Sequence, residues 1–344
     1  MVAPMNGHSV PDPLPLVAVV IPAYNAASTI DATLRSARGQ NYAHLEIIVI
    51  DDGSTDETAE IVDGHRREDQ RVRLVLQEQQ GVAAARNRGT SETRADFIAM
   101  LDADDLWHPE KIKRQMRAIA EAGEACGLVY TFSATIDEND EVIDCGDMAG
   151  RRAYQGFVLG DLLLNNFIAN GSSPLLRKSA MTEVGGYDPD LRAQGAEGCE
   201  DLKLYLAIAE DRTFAAVPLP LTGYRVTKTS MSSNVARMIR SHRIVTEPYR
   251  ESYPDQVRLG RVYLALYYAG REFAAGNYST WVWALREAAR TDFGATVRTV
   301  ARTLLRHVAP PKRNRGARAG LAKRVLFPAA RVAEPRAVQG RLAD

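Results

Sequence analysis

Cysteine is scarce: Cys126, Cys145 and Cys199 are the only three in 344 residues. Their odd number and irregular spacing argue against a disulfide framework, match no metal-ligand pattern and point to a reducing compartment. Long apolar runs are missing too. Stretches such as Leu16–Ala23 fall far short of the ~20 residues that a membrane-spanning helix needs. Residues 1–15 hold neither Lys nor Arg and no apolar core, so they are expected to form a disordered leader, not a signal peptide. No Gly-x-Gly-x-x-Gly follows the first apolar strand, which argues against a dinucleotide-dependent dehydrogenase. A phosphate-binding Gly-x-x-x-x-Gly-Lys-Ser/Thr and a His-Glu-x-x-His zinc motif are also absent. The six histidines are scattered.

What is present describes an ordinary globular chain, 45% hydrophobic and 25% charged. Its net charge of zero hides an asymmetry. Residues 301–344 carry eleven basic residues against Glu334 and Asp344, a local charge of +9 that leaves the preceding 300 residues at −9. Such a tail is expected to meet something anionic, a membrane surface before a nucleic acid, because it is nearly devoid of the aromatics that stack on bases. The compartment expected is the cytoplasm, with peripheral attachment at the inner face of the membrane.

Short runs rich in Val, Ile and Leu recur at Val17–Ile21, Leu45–Ile50, Val72–Leu76, Phe97–Leu101 and Leu128–Phe132. Stretches of helical length separate them, near Thr29–Arg38, Thr55–Arg66, Val82–Thr90 and Pro109–Ala122. Apolar strands without polar alternation, in β-α-β-α order, predict an α/β fold with a doubly wound, mostly parallel sheet covered on both faces. Ligands of such sheets bind beyond the carboxyl ends of the strands. Those ends are polar here: Pro22-Ala23-Tyr24-Asn25, Asp51-Asp52-Gly53-Ser54 and Asp102-Ala103-Asp104-Asp105. Each also suits a tight turn and a helix cap. Two carboxylates one residue apart at a strand end can hold a hard divalent cation that neutralises a diphosphate. An aspartyl-phosphate nucleophile of the haloacid-dehalogenase kind is the competing chemistry, but those enzymes place the pair after their first strand.

The rhythm then loosens. Asp137–Gly150 reads as a hairpin or loop, Phe157–Asn166 as a short helix, Leu202–Ala209 as an amphipathic helix, and Thr213–Val217 and Leu219–Val226 as two late strands. Beyond Val235 the chain reads as helical, including a helix–turn–helix over Tyr263–Arg290. Residues 310–316 read as a basic linker before an amphipathic helix at Leu321–Ala333.

Six segments in order make the chain resemble the inverting family 2 glycosyltransferases. They are Val19–Asn25, Ile50–Asp56, Gly81–Gly89, Leu101–Asp105, Gly185–Asp188 and Glu200-Asp201. The resemblance covers about Val17 to Ser233. It implies a GT-A fold, with a Rossmann-like nucleotide-binding half, an acceptor half and a C-terminal helical extension. The boundaries that follow are a GT-A domain at 16–233, the extension at 234–308 and the basic tail at 309–344. It further implies sugar transfer from a nucleotide-diphosphate sugar, UDP-sugars favoured, to a hydroxyl of a glycan or lipid-linked acceptor, in cell-surface polysaccharide or glycoconjugate synthesis. By position, Pro22, Tyr24 and Asn25 line the nucleotide pocket, Asp52 accepts from the base and Arg86 lies beside the nucleotide. Asp102 touches the ribose or a water on the metal, and Asp104 binds Mn2+ or Mg2+. Asp201 is the implied general base, with Glu200 its rival. Capping of a helix is what Glu200-Asp201 suggests by spacing alone.

One departure stands out. Relatives carry a His two residues after the Tyr-Arg pair near the domain's end, where this chain has Thr227 after Tyr224-Arg225-Val226. Arg225 or Lys228 is the candidate replacement for its positive charge. Asn170, Gly171 and Ser172 either border the acceptor or form plain loop. A non-catalytic nucleotide-sugar-binding protein on the same fold is the alternative function.

Overall fold

The computed structural model describes residues 15–145, 151–226 and 233–308. Strands β1 (Val17–Ala23), β2 (Leu45–Asp51), β3 (Val72–Leu76) and β4 (Phe97–Met100) run parallel in the order β3-β2-β1-β4. Helices α1 (Ile30–Arg38), α2 (Thr58–Glu68) and α3 (Val82–Ser91) connect them. From β4 the sheet continues through β8 (Leu175–Arg177), β6 (Cys126–Ile136) and β9 (Thr213–Arg225) to β5 (Leu106–Trp107), with β7 (Val142–Asp144) beside β6. In this second half only the β6–β9 pair is parallel; β8, β5 and β7 pair antiparallel, so the sheet as a whole is mixed.

Alternation along β1 explains the layers, since successive side chains of a strand point to opposite faces. Val17, Val19 and Ile21 pack with Ile30 and Leu34 of α1 and with Ile112 and Met116 of α4 (Lys111–Ala122). Ala18 and Val20 join a core on the other face with Leu162 of α5 (Leu159–Leu164) and Leu202 and Tyr205 of α8 (Glu200–Asp211). Helix α3 lies close against the sheet because residue 89 is glycine. A Cβ there would sit 2.3 Å from Cγ1 of Val20 and 3.2 Å from Cγ1 of Ile50, so no larger residue fits without lifting α3 away. Short helices α6 (Lys178–Glu183) and α7 (Asp190–Ala193) complete the domain before α8.

The two late strands expected at Thr213–Val217 and Leu219–Val226 are one strand, β9, with register shifts opposite Phe132. Pro218 falls in that shift, with no paired residue on β6, and Pro220 is paired with Phe132. The hairpin alternative for the segment after Asp137 holds as far as β7.

Among the described residues α9 (Val235–Thr246), α10 (Pro254–Ala274), α11 (Tyr278–Thr291) and α12 (Phe293–Val308) follow, with a 3-10 turn at Glu247–Tyr249 between the first two. Asn234 caps α9 by accepting from the Arg237 amide at 3.0 Å. These helices have a core of their own around Val262, Tyr268 and Ala288, yet Val245 and Val257 belong to the core of the main domain. Gly260 permits that union, since a Cβ there would lie 2.0 Å from the carbonyl oxygen of Leu163. Among the described residues no helix is long and apolar enough to cross a membrane. The expected leader, the basic tail with its amphipathic helix, and Lys228 lie outside the described residues.

Candidate active site

The carboxyl ends of β1, β2 and β4 converge, and the loops that leave them are laced together. Pro22 is buried within β1 opposite Ile50, whereas Tyr24 stands 47% exposed at the rim. Asn25 adopts a left-handed backbone (φ 48°), which Asn tolerates better than most residues. Its Oδ1 accepts from the Thr55 amide at 2.8 Å, and its own amide donates to Ser54 Oγ at 2.9 Å. Asp52 is buried and ties down the segment before α3: it accepts from Gln77 Nε2 (2.7 Å) and from the amides of Gln80 (2.8 Å) and Gly81 (2.7 Å). A carboxylate has roughly four acceptor positions, so capacity for one further donor remains. Gly81 turns the chain into α3 with φ 95°.

From α3 project the two residues that join the halves of the domain. Asn87 pairs with the backbone of Tyr187, donating to its carbonyl at 2.7 Å and accepting from its amide at 2.9 Å. Gly186 (φ 76°) makes that approach possible, because a Cβ would meet Asn87 Oδ1 at 2.7 Å. Arg86 is 3% exposed and bridges two acids: it donates to Asp102 Oδ1 at 2.6 Å and to Glu200 Oε1 at 3.1 Å. Its guanidinium lies 5.2 Å from the centre of the Tyr187 ring. Burial opposes the charge, but Asp102, Tyr187 and Glu200 together hold Arg86 firmly protonated. Gly171 leaves room for the bridge, for its Cβ would fall 2.7 Å from an Arg86 terminal nitrogen and 3.1 Å from Asp102 Oδ2.

Three acids crowd the end of β4. Burial, then the charge of Asp102, pushes the Asp104 carboxyl up to about 6. Asp105 is fully buried and is pushed up well above the usual carboxylate range by burial and by its two acidic neighbours. Arg225 is the counterweight. Its amide donates to Asp105 Oδ1 at 2.8 Å, its Nε to the Asp104 carbonyl at 2.6 Å, and its remaining nitrogens to the Asp137 carbonyl and the Asp140 carboxylate. The guanidinium is thus engaged beneath the acids and acts on Asp104 through its field. Ser172 orients the first acid by accepting from the Asp102 amide at 2.9 Å, and Asn170 holds Ser172 and Ser173 through their amides.

Glu200 and Asp201 open α8, and they divide their work. Glu200 is buried, taking Arg86 on one oxygen and the Gly198 amide (2.8 Å) on the other. Asp201 is partly exposed, and among the described residues the Leu202 amide, at 2.6 Å, donates to its carboxylate. Burial and the neighbouring Glu200 charge push Asp201 up to about 7.

Comparison with known proteins agrees with this architecture. Residues 18–182 match the sequence profile of Glycosyl transferase family 2. Residues 18–182 are thus a Glycosyl transferase family 2 segment. The chain is 29% identical over 224 residues to TuaG of Bacillus subtilis, provisionally named a teichuronic acid biosynthesis glycosyltransferase, a match covering 64% of this chain and 82% of TuaG. It is 40% identical over 104 residues to the amylovoran biosynthesis glycosyltransferase AmsB of Erwinia amylovora, which covers 29% of this chain and 35% of AmsB. Among solved structures, S. aureus TarS 1-349 superposes with a TM-score of 0.57 at 14% identity, over 80% of each chain. The mannosyltransferase PcManGT of Pyrobaculum calidifontis, solved with GDP-Man and Mn2+, gives 0.54 at 18% identity, over 86% of this chain and 81% of that one. At such identities the likeness is one of fold, the GT-A arrangement.

Arg86, Asp102 and Glu200 form one bonded group, to which Asp201 and Asp104 are coupled by charge, through Glu200 and Asp102 respectively. Asn25 and Asp52 serve the loops, and Pro22 is largely covered. Reading the sequence for roles overlooked Asp105, Tyr187 and Tyr205. The segment 185–188 was visible as a motif but suggested no chemistry, and nothing in the spacing links Tyr205 to the site. Among the described residues the buried phenol oxygens of Tyr187 and Tyr205 meet no hydrogen-bond partner, nor do Arg86 Nε and Asp105 Oδ2. Among the described residues no three His, Cys, Asp or Glu side chains converge as a complete metal-ligand set. The donor set at the end of β4 is nonetheless all oxygen, over-supplied with negative charge and incompletely paired, which fits a hard divalent cation.

Proposed function

We propose that this protein is an inverting glycosyltransferase that moves a sugar from a nucleotide-diphosphate sugar, a UDP-sugar first among candidates, to a hydroxyl of a glycan or lipid-linked acceptor. The setting proposed is the synthesis of cell-surface polysaccharide or glycoconjugate. The observation that carries this reading is the Arg86 bridge, which brings the acids of the nucleotide half within one guanidinium of the α8 helix that bears Asp201.

Asp201 takes the proton of the acceptor hydroxyl as its oxygen forms a bond to the anomeric carbon and the bond from that carbon to the diphosphate oxygen breaks. A carboxylate that titrates near neutrality suits a base working at pH 7. Glu200, held by Arg86 and the Gly198 amide, raises the Asp201 pKa and keeps its side chain at the helix start. Asp104 and Asp102 would hold Mn2+ or Mg2+, which when bound supplies positive charge to the departing nucleotide diphosphate. Tyr24 at the rim and the spare acceptor capacity of Asp52 are suited to the nucleoside.

A panel of nucleotide sugars, read by release of nucleoside diphosphate with and without Mn2+, tests the assignment. Turnover with one donor, dependent on metal and lost in Asp104→Ala, is the expected result. Stabilisation by nucleotide without turnover on any acceptor would make this a binding protein instead. Residues 309–344 are proposed to hold the enzyme on anionic lipid, each basic residue near the surface adding about 1 kcal/mol. Equal sedimentation with phosphatidylserine vesicles by the full chain and by a chain ending at Pro310 would remove that role.

A further inference from the structure

The helical extension encloses an open basin of about 670 Å3 between α9, α10 and α11, and its wall is dominated by arginine. Arg243, Arg250, Arg258, Arg261 and Arg290 line it, against only two acids in the lining, Glu247 and Glu287. Asp255 and Asp292 stand behind Arg258 and pair with it. The remaining pairs are Arg243 and Arg290 with Glu287, and Arg250 and Arg261 with Glu247. A guanidinium has five N–H donors. Arg243, Arg250 and Arg290 each spend one of theirs on a carboxylate, and their side chains are 43%, 68% and 73% exposed. The basin therefore keeps a positive excess and a surplus of donors arranged for oxyanions.

Its position matters as much as its charge. Ser241 of α9 donates to the Ala196 carbonyl at 2.6 Å, and the Met238 carbonyl faces Cys199 Sγ at 3.9 Å, so α9 rests on the segment that leads into Glu200-Asp201. Arg243 is two residues beyond Ser241, about 3 Å along α9 but on its opposite side, so the basin lies across the thickness of one helix, roughly 10 Å, from that segment. We propose that this basin binds the anionic backbone of the acceptor glycan, its phosphodiester or uronate groups, while a neighbouring hydroxyl of the same chain reaches Asp201. The idea rests on the glycosyl-transfer reading for its purpose, but its test does not.

Binding of a short polyphosphate and of an oligogalacturonate is measured by titration calorimetry on the full chain, with neutral dextran as control. The triple variant Arg243→Gln, Arg250→Gln, Arg290→Gln is expected to bind the anionic probe about tenfold more weakly, three screened charges having been removed. The corresponding Lys variants should recover most of the affinity. A second triple, Arg66→Gln, Arg114→Gln, Arg117→Gln, removes equal charge from exposed sites on α2 and α4 and should bind as the unaltered protein does. Preference for polyphosphate marks a phosphodiester acceptor, and preference for galacturonate a uronate one. Equal binding by the basin triple and the unaltered protein, an equal loss in the second triple, or binding of dextran as tight as that of the anions would each overturn the proposal. Donor hydrolysis without acceptor should be unchanged in the basin triple. If no nucleotide sugar is ever turned over but the basin triple alone loses the anion, the transfer reading fails and the basin stands.

Discussion

Asp201→Asn is expected to lower sugar transfer by ~10²–10⁴-fold, the usual worth of a positioned base, while donor binding stays intact. Asparagine preserves the shape at the start of α8 but cannot accept the acceptor's proton. In the unaltered enzyme the rate should rise with pH and level off above about 7, where the Asp201 carboxyl loses its proton. Because Glu200 adjoins it, that apparent value belongs to the pair. A stability change must accompany the loss of rate. The folded protein holds the Asp201 proton more tightly than an unfolded chain, whose Asp titrates near 3.8. The carboxyl therefore costs stability progressively as pH rises from 4 to 7, and no more above that. Asn removes that cost, so the variant should be more stable than its parent at pH 8 by about 1–2 kcal/mol, discounted for partial exposure, with the advantage shrinking toward pH 4. Denaturant melts at the two pH values measure it. Retention of most of the transfer rate would hand the role of base to Glu200 or another group. Loss of rate with no gain in stability would mean that Asp201 is not held protonated as described.

The strand ends were legible because parallel strands buried on both faces read as plain apolar runs, and the polar residues that follow mark where ligands collect. The glycines of 81–89 were legible as a motif, but their cause was not: Gly89 answers to Val20 and Ile50, and Gly81 to a backbone turn. Long-range pairing was beyond reach. Arg86 and Glu200 are 114 residues apart, and no periodicity relates them. The same limit hid the loop bonds that Asn25 and Asp52 make beside the ligand-facing role expected of them. A polar side chain at a strand end looks the same in sequence whether it meets a substrate or the amide of a neighbouring loop. Arg225 was named as a spare charge, but only the fold shows it pinned under Asp104 and Asp105. The arginine basin is drawn from three helices and the turn between α9 and α10, segments that no sequence period relates.

The other large effect belongs to Arg86. Replacing it with Met leaves Asp102 and the buried Glu200 carboxylate without their cation, and breaking a buried pair from one side costs about 3–5 kcal/mol. Urea unfolding should report this loss. Lysine at the same position retains a charge but not the planar fork that spans two carboxylates, so Arg86→Lys should recover only part of it. Removing an acid as well separates charge from packing. In Arg86→Met with Glu200→Leu, one of the stranded carboxylates is gone, and the double variant should be more stable than Arg86→Met alone. The bridge also fixes how the two halves of the domain face each other, so donor affinity and transfer should fall together in Arg86→Met even below its melting temperature. A loss of less than about 1 kcal/mol in Arg86→Met, the scale of an exposed ion pair, would mean that the bridge is solvated and does not tie the nucleotide acids to α8.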